Sequence, residues 1–277
     1  MIKLYLCSFA SPDLNRSAIR FINQSEKMKI YEKIKVYGLN DLSDQKKKQI
    51  ESFQKKRLFG YASWKPEIIL NFIKNIPKDS IVQYSDVGCH FNNKGVERLK
   101  DYMMIADKSE ILAFQYKMPN FNLEKELKFQ IYFEKQYTKS DLFKFFNLEN
   151  DSPIVSSEQI WSGTMFFKNN TKTEIFLKKW LEICNVNHLI DDTPSIEINH
   201  DEFIEHRHDQ SAFSILCKIN KVKLLSASEC EWAEDANDRY WDHLNNFPIL
   251  AMRDKRYNII RRFFSRQYKN LKRIFKQ

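Results

Sequence analysis

Ser80-Ile81-Val82-Gln83-Tyr84-Ser85-Asp86-Val87-Gly88 is an apolar run that stops on a carboxylate and a glycine. Its β-branched and aromatic residues predict a strand over Ser80–Tyr84, and the polar residues and glycine that follow predict a turn at its carboxyl end. The surroundings alternate. Upstream, Ile2–Phe9 and Lys33–Tyr37 read as strands, and Arg16–Lys27 and Leu42–Lys56 as helices. A further helix is expected over Glu67–Asn75, with Pro66 at its start. Downstream, Gly95–Ala106 reads as a helix and Glu110–Gln115 as a strand. Strands and helices taking turns predict an α/β fold with a central, mostly parallel sheet flanked by helices. Ligands of such sheets bind beyond the carboxyl ends of the strands. The informative positions are therefore Ser8-Phe9-Ala10 and Ser85-Asp86-Val87-Gly88.

The second half is less regular. Asn147–Ser157 is loop-like, Gln159–Phe167 reads as an aromatic strand, and Lys172–Cys184 as a helix. Leu189–Phe203 is a long polar segment containing proline, and a last helix is expected over Asp209–Cys217.

Composition excludes several classes. The 277 residues are 43% hydrophobic and 29% charged, enough to bury a sizeable core. No apolar run reaches the roughly 20 residues that span a bilayer. The five cysteines, Cys7, Cys89, Cys184, Cys217 and Cys230, form no Cys-x-x-Cys pair, so neither a disulfide framework nor a zinc ribbon is offered. The glycines number five, and no glycine-rich phosphate loop occurs. Met1–Cys7 lacks the features of a secretory leader, so a cytoplasmic location is expected.

The net charge of +9 is localised. Arg253–Gln277 holds ten Lys/Arg and one acid, which leaves 35 basic and 35 acidic residues in positions 1–252. A nucleic-acid partner is thus not expected for the neutral body. In 253–277, Tyr257, Ile260, Phe264, Tyr268, Leu271 and Phe275 recur at helical spacing, with cations on another face. This predicts a basic amphipathic helix suited to an anionic membrane surface. A helix docked on the body is the competing reading. The organisation expected is a domain over 1–252 and this helix over 253–277.

Five constellations can carry chemistry. Asp86 after a strand can share a divalent cation with a phosphate-bearing ligand, with Gly88 letting the backbone approach closely; a plain turn has the same residues. Trp64-Lys65-Pro66 puts a cation at a helix start, a place for phosphate, or it packs the helix entry. In His206-Arg207-His208-Asp209-Gln210 the two imidazoles share one face of an extended segment, as a metal pair or diphosphate contact requires, or they are surface or satisfied core histidines; Asp209 is a reacting carboxylate or a helix cap. Trp161 beside Gly163 offers an indole to a sugar ring, or forms a core strand with a bulge. Asp191 supplies a further acid, or belongs to an Asp-rich turn.

Taken together, Ser8-Phe9-Ala10-Ser11-Pro12-Asp13, Trp64-Lys65-Pro66, Tyr84–Cys89, Gln159–Gly163, Leu189–Asp192 and His206–Ser211 resemble a bacterial glycosyltransferase family of the GT-A fold, associated with capsule and lipopolysaccharide assembly. The resemblance spans about positions 1–230. It implies transfer of a sugar from a nucleotide-sugar donor to a glycan acceptor, often lipid-linked, at the inner face of the cytoplasmic membrane. It implies donor contacts from Ser8, Phe9, Ala10, Lys65, Tyr84, Asp86, Gly88, His206, His208 and Gln210. Trp161, Gly163 and Asp191 fall toward the acceptor, and Asp86 and Asp209 at the reacting centre. GT-A enzymes usually present Asp-x-Asp, which binds the manganese or magnesium that grips the diphosphate. Asp86 matches the first acid and Gly88 stands at the second. Asp86 and His208 are then the candidate metal ligands, with Lys65 and the two histidines as diphosphate partners. A membrane-recruited binding module without catalysis is the alternative that the missing acid suggests.

Overall fold

The computed structural model describes residues 2–54, 57–122, 126–236 and 238–252. The expected basic helix over 253–277 lies outside the described residues. The first half alternates as its sequence dictates: β1 (Leu4–Phe9), α1 (Asn15–Lys27), β2 (Tyr31–Tyr37), α2 (Asp44–Ser52), a tight turn α3 (Leu58–Tyr61) and α4 (Lys65–Ile73). Then follow β3 (Ile81–Ser85), the short β4 (His90–Phe91), α5 (Val96–Ser109) and β5 (Ile111–Gln115). The second half holds α6 (Glu134–Tyr137), α7 (Ser140–Phe145), β6 (Ile160–Lys168), α8 (Thr171–Cys184), α9 (Asn187–Ile190), α10 (Asp209–Ile219) and β7 (Lys223–Ser226). β8 (Ala233–Asp235) pairs with β9 (Asp238–Tyr240), and β4 pairs with β10 (Ile249–Leu250).

Six strands form the central sheet in the order β2-β1-β3-β6-β5-β7. The pairs β1–β2, β1–β3 and β5–β7 are parallel, whereas β6 runs antiparallel to both β3 and β5. The expected mostly parallel sheet is therefore present, with one reversed strand. The reversal has a topological cause. The chain leaves β5 and enters β6 at the same rim, with Ile160 opposite Gln115. The beginning of β6 is thereby delivered to the rim where β3 ends. β7 was not legible because Lys223-Leu224-Leu225-Ser226 is too short for a period to show.

Alternation along the strands feeds two cores. Tyr5, Cys7 and Phe9 face one side of β1, packing with α4, α8 and α10 through Ile69, Trp180 and Phe213. Leu4 and Leu6 face the other, with Phe21 of α1 and Leu99 and Tyr102 of α5. Phe167 and Phe166 divide in the same way on β6. Each such large side chain, fully buried, contributes on the order of 1.5–3 kcal/mol. α2 ends earlier than Lys56 because Phe53 turns extended (ψ 130°) and enters the core.

Between α2 and α4 the backbone is strained. Leu58, Phe59, Gly60, Tyr61 and Ala62 all have positive φ, from 49° to 84°, a left-handed turn of five residues. Left-handed helix costs about 1–2 kcal/mol per non-glycine residue. At Gly60 no side chain fits, since a Cβ would lie 2.7 Å from Ile50 Cγ1. The turn delivers Trp64 and Lys65 to the head of α4, and strain of this kind collects at functional sites.

Candidate active site

Residues that the sequence scatters meet at the carboxyl end of β3. Tyr84, the last buried aromatic of that strand, donates its hydroxyl to Asp86 Oδ1 at 2.7 Å. Lys65, at the start of α4, places Nζ 3.3 Å from the same Oδ1 and 2.9 Å from Oδ2 of Asp209, at the start of α10. Nζ also donates to the Ser162 carbonyl at 2.9 Å and to its Oγ at 3.2 Å, and Ser162 Oγ reaches Asp209 Oδ2 at 3.0 Å. The backbone fixes the rest: Asp86 N–H donates to the Gly163 carbonyl at 2.8 Å.

This cluster has an inside and an outside. The side chains of Lys65 and Asp209 are 3% and 4% exposed, but that of Asp86 is 45% exposed. Burial disfavours the Lys65 ammonium, yet the carboxylates of Asp209 and Asp86 outweigh it and hold its pKa above the ordinary value. Burial pushes the Asp209 carboxyl up, against the pull of Lys65 and with the help of Asp86. Burial, then Asp86, pushes the Tyr84 phenol far up, so it remains a donor. Two acids share one base, so the excess negative charge emerges at Asp86. Tyr84 and Lys65 both engage Oδ1, leaving Oδ2 to meet a ligand.

The turn after Asp86 is braced. Cys89 N–H closes it on the Asp86 carbonyl at 2.8 Å, with half-buried Gly88 inside it. Arg20 of α1 donates to the carbonyls of Val87 and Cys89, each at 2.7 Å. Gln210 links the cluster to β6, donating to Gln159 Oε1 at 2.7 Å and accepting from Ser162 N–H at 3.4 Å. Asp209 is not the cap of its helix; the N-cap is His208, without a side-chain cap bond. The indole of Trp180 holds the Asp209 carbonyl instead, at 3.2 Å.

The histidines are placed differently from the expectation. Their side chains do share a face, with rings 5.5 Å apart, but that face meets backbone. His206 contacts the Leu189 carbonyl through Nε2 (2.9 Å) and accepts from Lys139 N–H through Nδ1 (3.2 Å). His208 Nδ1 contacts the Ile190 carbonyl at 2.8 Å. Burial first, then the neighbouring His208 and Lys139, holds His206 far below its usual pKa; burial lowers His208 to about 4. Both are neutral near pH 7, so neither supplies charge to a diphosphate. His208 adopts φ 56° and ψ −125°, and its buried Nε2 lacks a hydrogen-bond partner 3.7 Å from Asp192 Oδ1.

Other expected contacts are closed off too. Trp161 is 5% exposed and lies over Gly163, where a Cβ would come 2.1 Å from its Cζ2. The pairing of β5 with β6 jumps from Leu112–Phe166 to Phe114–Trp161, so β6 bulges there and folds the indole inward. Trp161 therefore offers no open face to a sugar. Asp191 accepts from Thr193 N–H at 3.0 Å and from the Thr193 hydroxyl, and stands 3.8 Å from buried Lys139, apart from the Asp86 contacts. Ser8 and Phe9 are inside the core, with the Ser8 hydroxyl unpartnered and Phe9 stacked on Trp64 at 3.9 Å. Ala10, half-buried at the end of β1, is the open member of that trio.

Among the described residues, no group of three His, Cys, Asp or Glu is placed to hold a metal ion. Lys65 occupies the inner side of Asp86, and the His208 lone pair belongs to the Asp192 side. These side chains do not build a resident cation site. Sequence reasoning missed Ser162, Gln159 and Arg20. Ser162 and Gln159 left a signal, as polar residues inside an aromatic strand; Arg20 left none.

Among solved structures, the chain is similar to a glycosyltransferase involved in glycosylation of the major capsid of PBCV-1. The TM-score is 0.51 at 10% identity, covering 92% of this chain and 95% of that one. It also matches mouse xyloside xylosyltransferase 1, with TM-score 0.41 and 13% identity over 83% and 87% of the two chains. The galactosyltransferase LgtC, in complex with donor and acceptor sugar analogs, matches with TM-score 0.42 and 10% identity over 82% and 74%. The first likeness, with the strand order above, shows a GT-A-like fold. No protein-family model matches the chain, and no curated protein matches its sequence.

Proposed function

We propose that this chain is a glycosyltransferase that moves a sugar from a nucleotide-sugar donor to a glycan acceptor. The observation that carries the proposal is the half-exposed Asp86 at the carboxyl-end rim, backed by the buried Lys65–Asp209 pair. Rims of α/β sheets are where such folds bind ligands, and a carboxylate held by a tyrosine and a lysine is pre-organised. Asp86 is the group that meets the donor. Lys65, Tyr84, Asp209 and Ser162 position it, with Gln210 and Gly163 fixing the neighbouring strand. Asp86 would be the residue to hold a divalent cation brought by the donor, and such a cation would offset the charge developing on the leaving diphosphate. The acceptor belongs to envelope glycan assembly, such as lipopolysaccharide O-antigen or capsule. The polybasic segment 253–277 holds the enzyme at the anionic inner membrane surface beside a lipid-linked acceptor. Truncation at 252 should abolish binding to anionic liposomes; undiminished binding would remove that part of the proposal.

The test is release of nucleoside diphosphate from a panel of nucleotide sugars, with and without envelope glycolipid. Turnover with one donor, lost in Asp86→Asn, supports the proposal. The second reading, a non-catalytic binding module, is favoured by Gly88 at the second acid position. It predicts nucleotide binding without turnover of any donor.

A further inference from the structure

One cation on the same rim meets its carboxylate partner, Glu205, only at 4.0 Å, and a second acid, Glu231, accepts from the hydroxyl of a neighbouring tyrosine, Tyr116, at 3.5 Å. Arg207 lies between His206 and His208, and its guanidinium turns to a set of tyrosines. Its central carbon is 3.8 Å from the ring centroid of Tyr132, 4.0 Å from that of Tyr137 and 6.0 Å from that of Tyr116. The rings brace one another edge to face, Tyr116 to Tyr132 at 4.7 Å and Tyr132 to Tyr137 at 5.0 Å. Glu205 stands 4.0 Å from Arg207 Nε, but its other oxygen is taken by Arg57 at 3.2 Å. The Arg207 side chain is 21% exposed.

Aromatic faces stabilise a cation without cancelling its charge. A stacked guanidinium also keeps the N–H donors along its edge, matched to the paired oxygens of a carboxylate or phosphate. This cage adjoins the candidate active site by backbone. Tyr116 follows Gln115 of β5 and donates its N–H to the Gln159 carbonyl; Gln159 N–H in turn donates to the Tyr132 carbonyl. Gln159 then bonds Gln210, which reaches Ser162 and so the Asp86 cluster. The cage lies toward β5, and the candidate donor acid at the end of β3.

We propose that Arg207, with Tyr116, Tyr132 and Tyr137, forms a subsite for an anionic group, carboxylate or phosphate, on the acceptor. It rests on the glycosyl-transfer reading and deepens it by naming the acceptor's chemistry. The experiment titrates the full chain, with and without a panel of nucleotides, with methyl β-glucuronide, glucose 6-phosphate and neutral methyl β-glucoside, followed by ligand-observed NMR. One anionic probe is expected to bind about tenfold more tightly than the neutral one, as charge-assisted paired hydrogen bonds allow. The carboxylate and phosphate arms separate an acidic sugar from a phosphorylated one. In Arg207→Gln the preference should fall below about twofold, and Arg207→Lys should keep part of it. Equal binding of all three probes by the wild type, or a preference that survives Arg207→Gln, overturns the subsite. The wild-type comparison needs no variant to fold. Nucleotide binding without anion preference sinks this inference alone, whereas anion preference without any nucleotide response sinks the transfer reading and leaves the subsite.

Discussion

Lys65 Nζ stands 2.9 Å from Oδ2 of Asp209 in a position where both side chains are almost wholly buried. Removing one partner of such a pair strands the other's charge, at about 3–5 kcal/mol. Lys65→Met should therefore destabilise the protein by about that amount in chemical denaturation. Adding Asp209→Asn should restore much of the loss, because the stranded carboxylate is gone. A double variant no more stable than Lys65→Met would contradict this account of the pair.

Gly163→Ala tests the bulge. Its Cβ would lie 2.1 Å from the Trp161 ring, which has no open space to enter. We expect a loss of about 1–3 kcal/mol and a changed near-ultraviolet signal from the displaced indole. In a Trp161→Leu background the same substitution should cost much less.

The buried histidines make stability depend on pH. His208 titrates at about 4 in the folded chain against 6.5 in a free peptide, and His206 is lowered further by its burial. As pH falls through this window the unfolded chain takes up protons first, so stability falls, by up to ~1.4 kcal/mol per pH unit and group. Asp209, whose pKa is raised, works in the opposite sense. Two histidines against one acid give a net decline in Tm from about pH 6.5 to 4. His208→Asn keeps a donor for Ile190 and tolerates positive φ, and should flatten that decline. A Tm that rises over this range would refute the assignment.

Manganese supplies another test. Because no three-ligand cluster occurs among the described residues, manganese alone should give no calorimetric binding. It should bind once the cognate nucleotide is present. Tight binding to the free protein would mean a resident site exists.

Much of the architecture was legible because its signals are periodic. The apolar runs of β1 and β3 are buried on both faces of the sheet, and the spaced apolar residues of α1 and α5 pack into one core and those of α8 into the other. Asp86, Lys65 and Asp209 were legible as charges beside element ends, since a carboxylate after a strand or a lysine at a helix start has few structural duties. What failed was orientation. Of the two readings of Trp161, the core strand with a bulge is the one the pairing with β5 supports, and the indole turns inward rather than toward a sugar. The imidazoles of His206 and His208 were claimed by the carbonyls of Leu189 and Ile190, which only the folded chain brings within reach. The same holds for Arg207, whose three tyrosines come from two distant segments.

The central claim is that Asp86 faces a nucleotide-sugar diphosphate. Calorimetric titration of nucleotide sugars into wild type and Asp86→Asn, with manganese present, tests it most directly. Asparagine keeps an oxygen for Tyr84, and the site is half open, so the fold should survive with little change in Tm. We predict saturable binding of one nucleotide sugar by the wild type and at least about tenfold weaker binding by Asp86→Asn, the scale of one lost charged contact. Equal affinity in the two proteins, or no binding by the wild type across the panel, would contradict it.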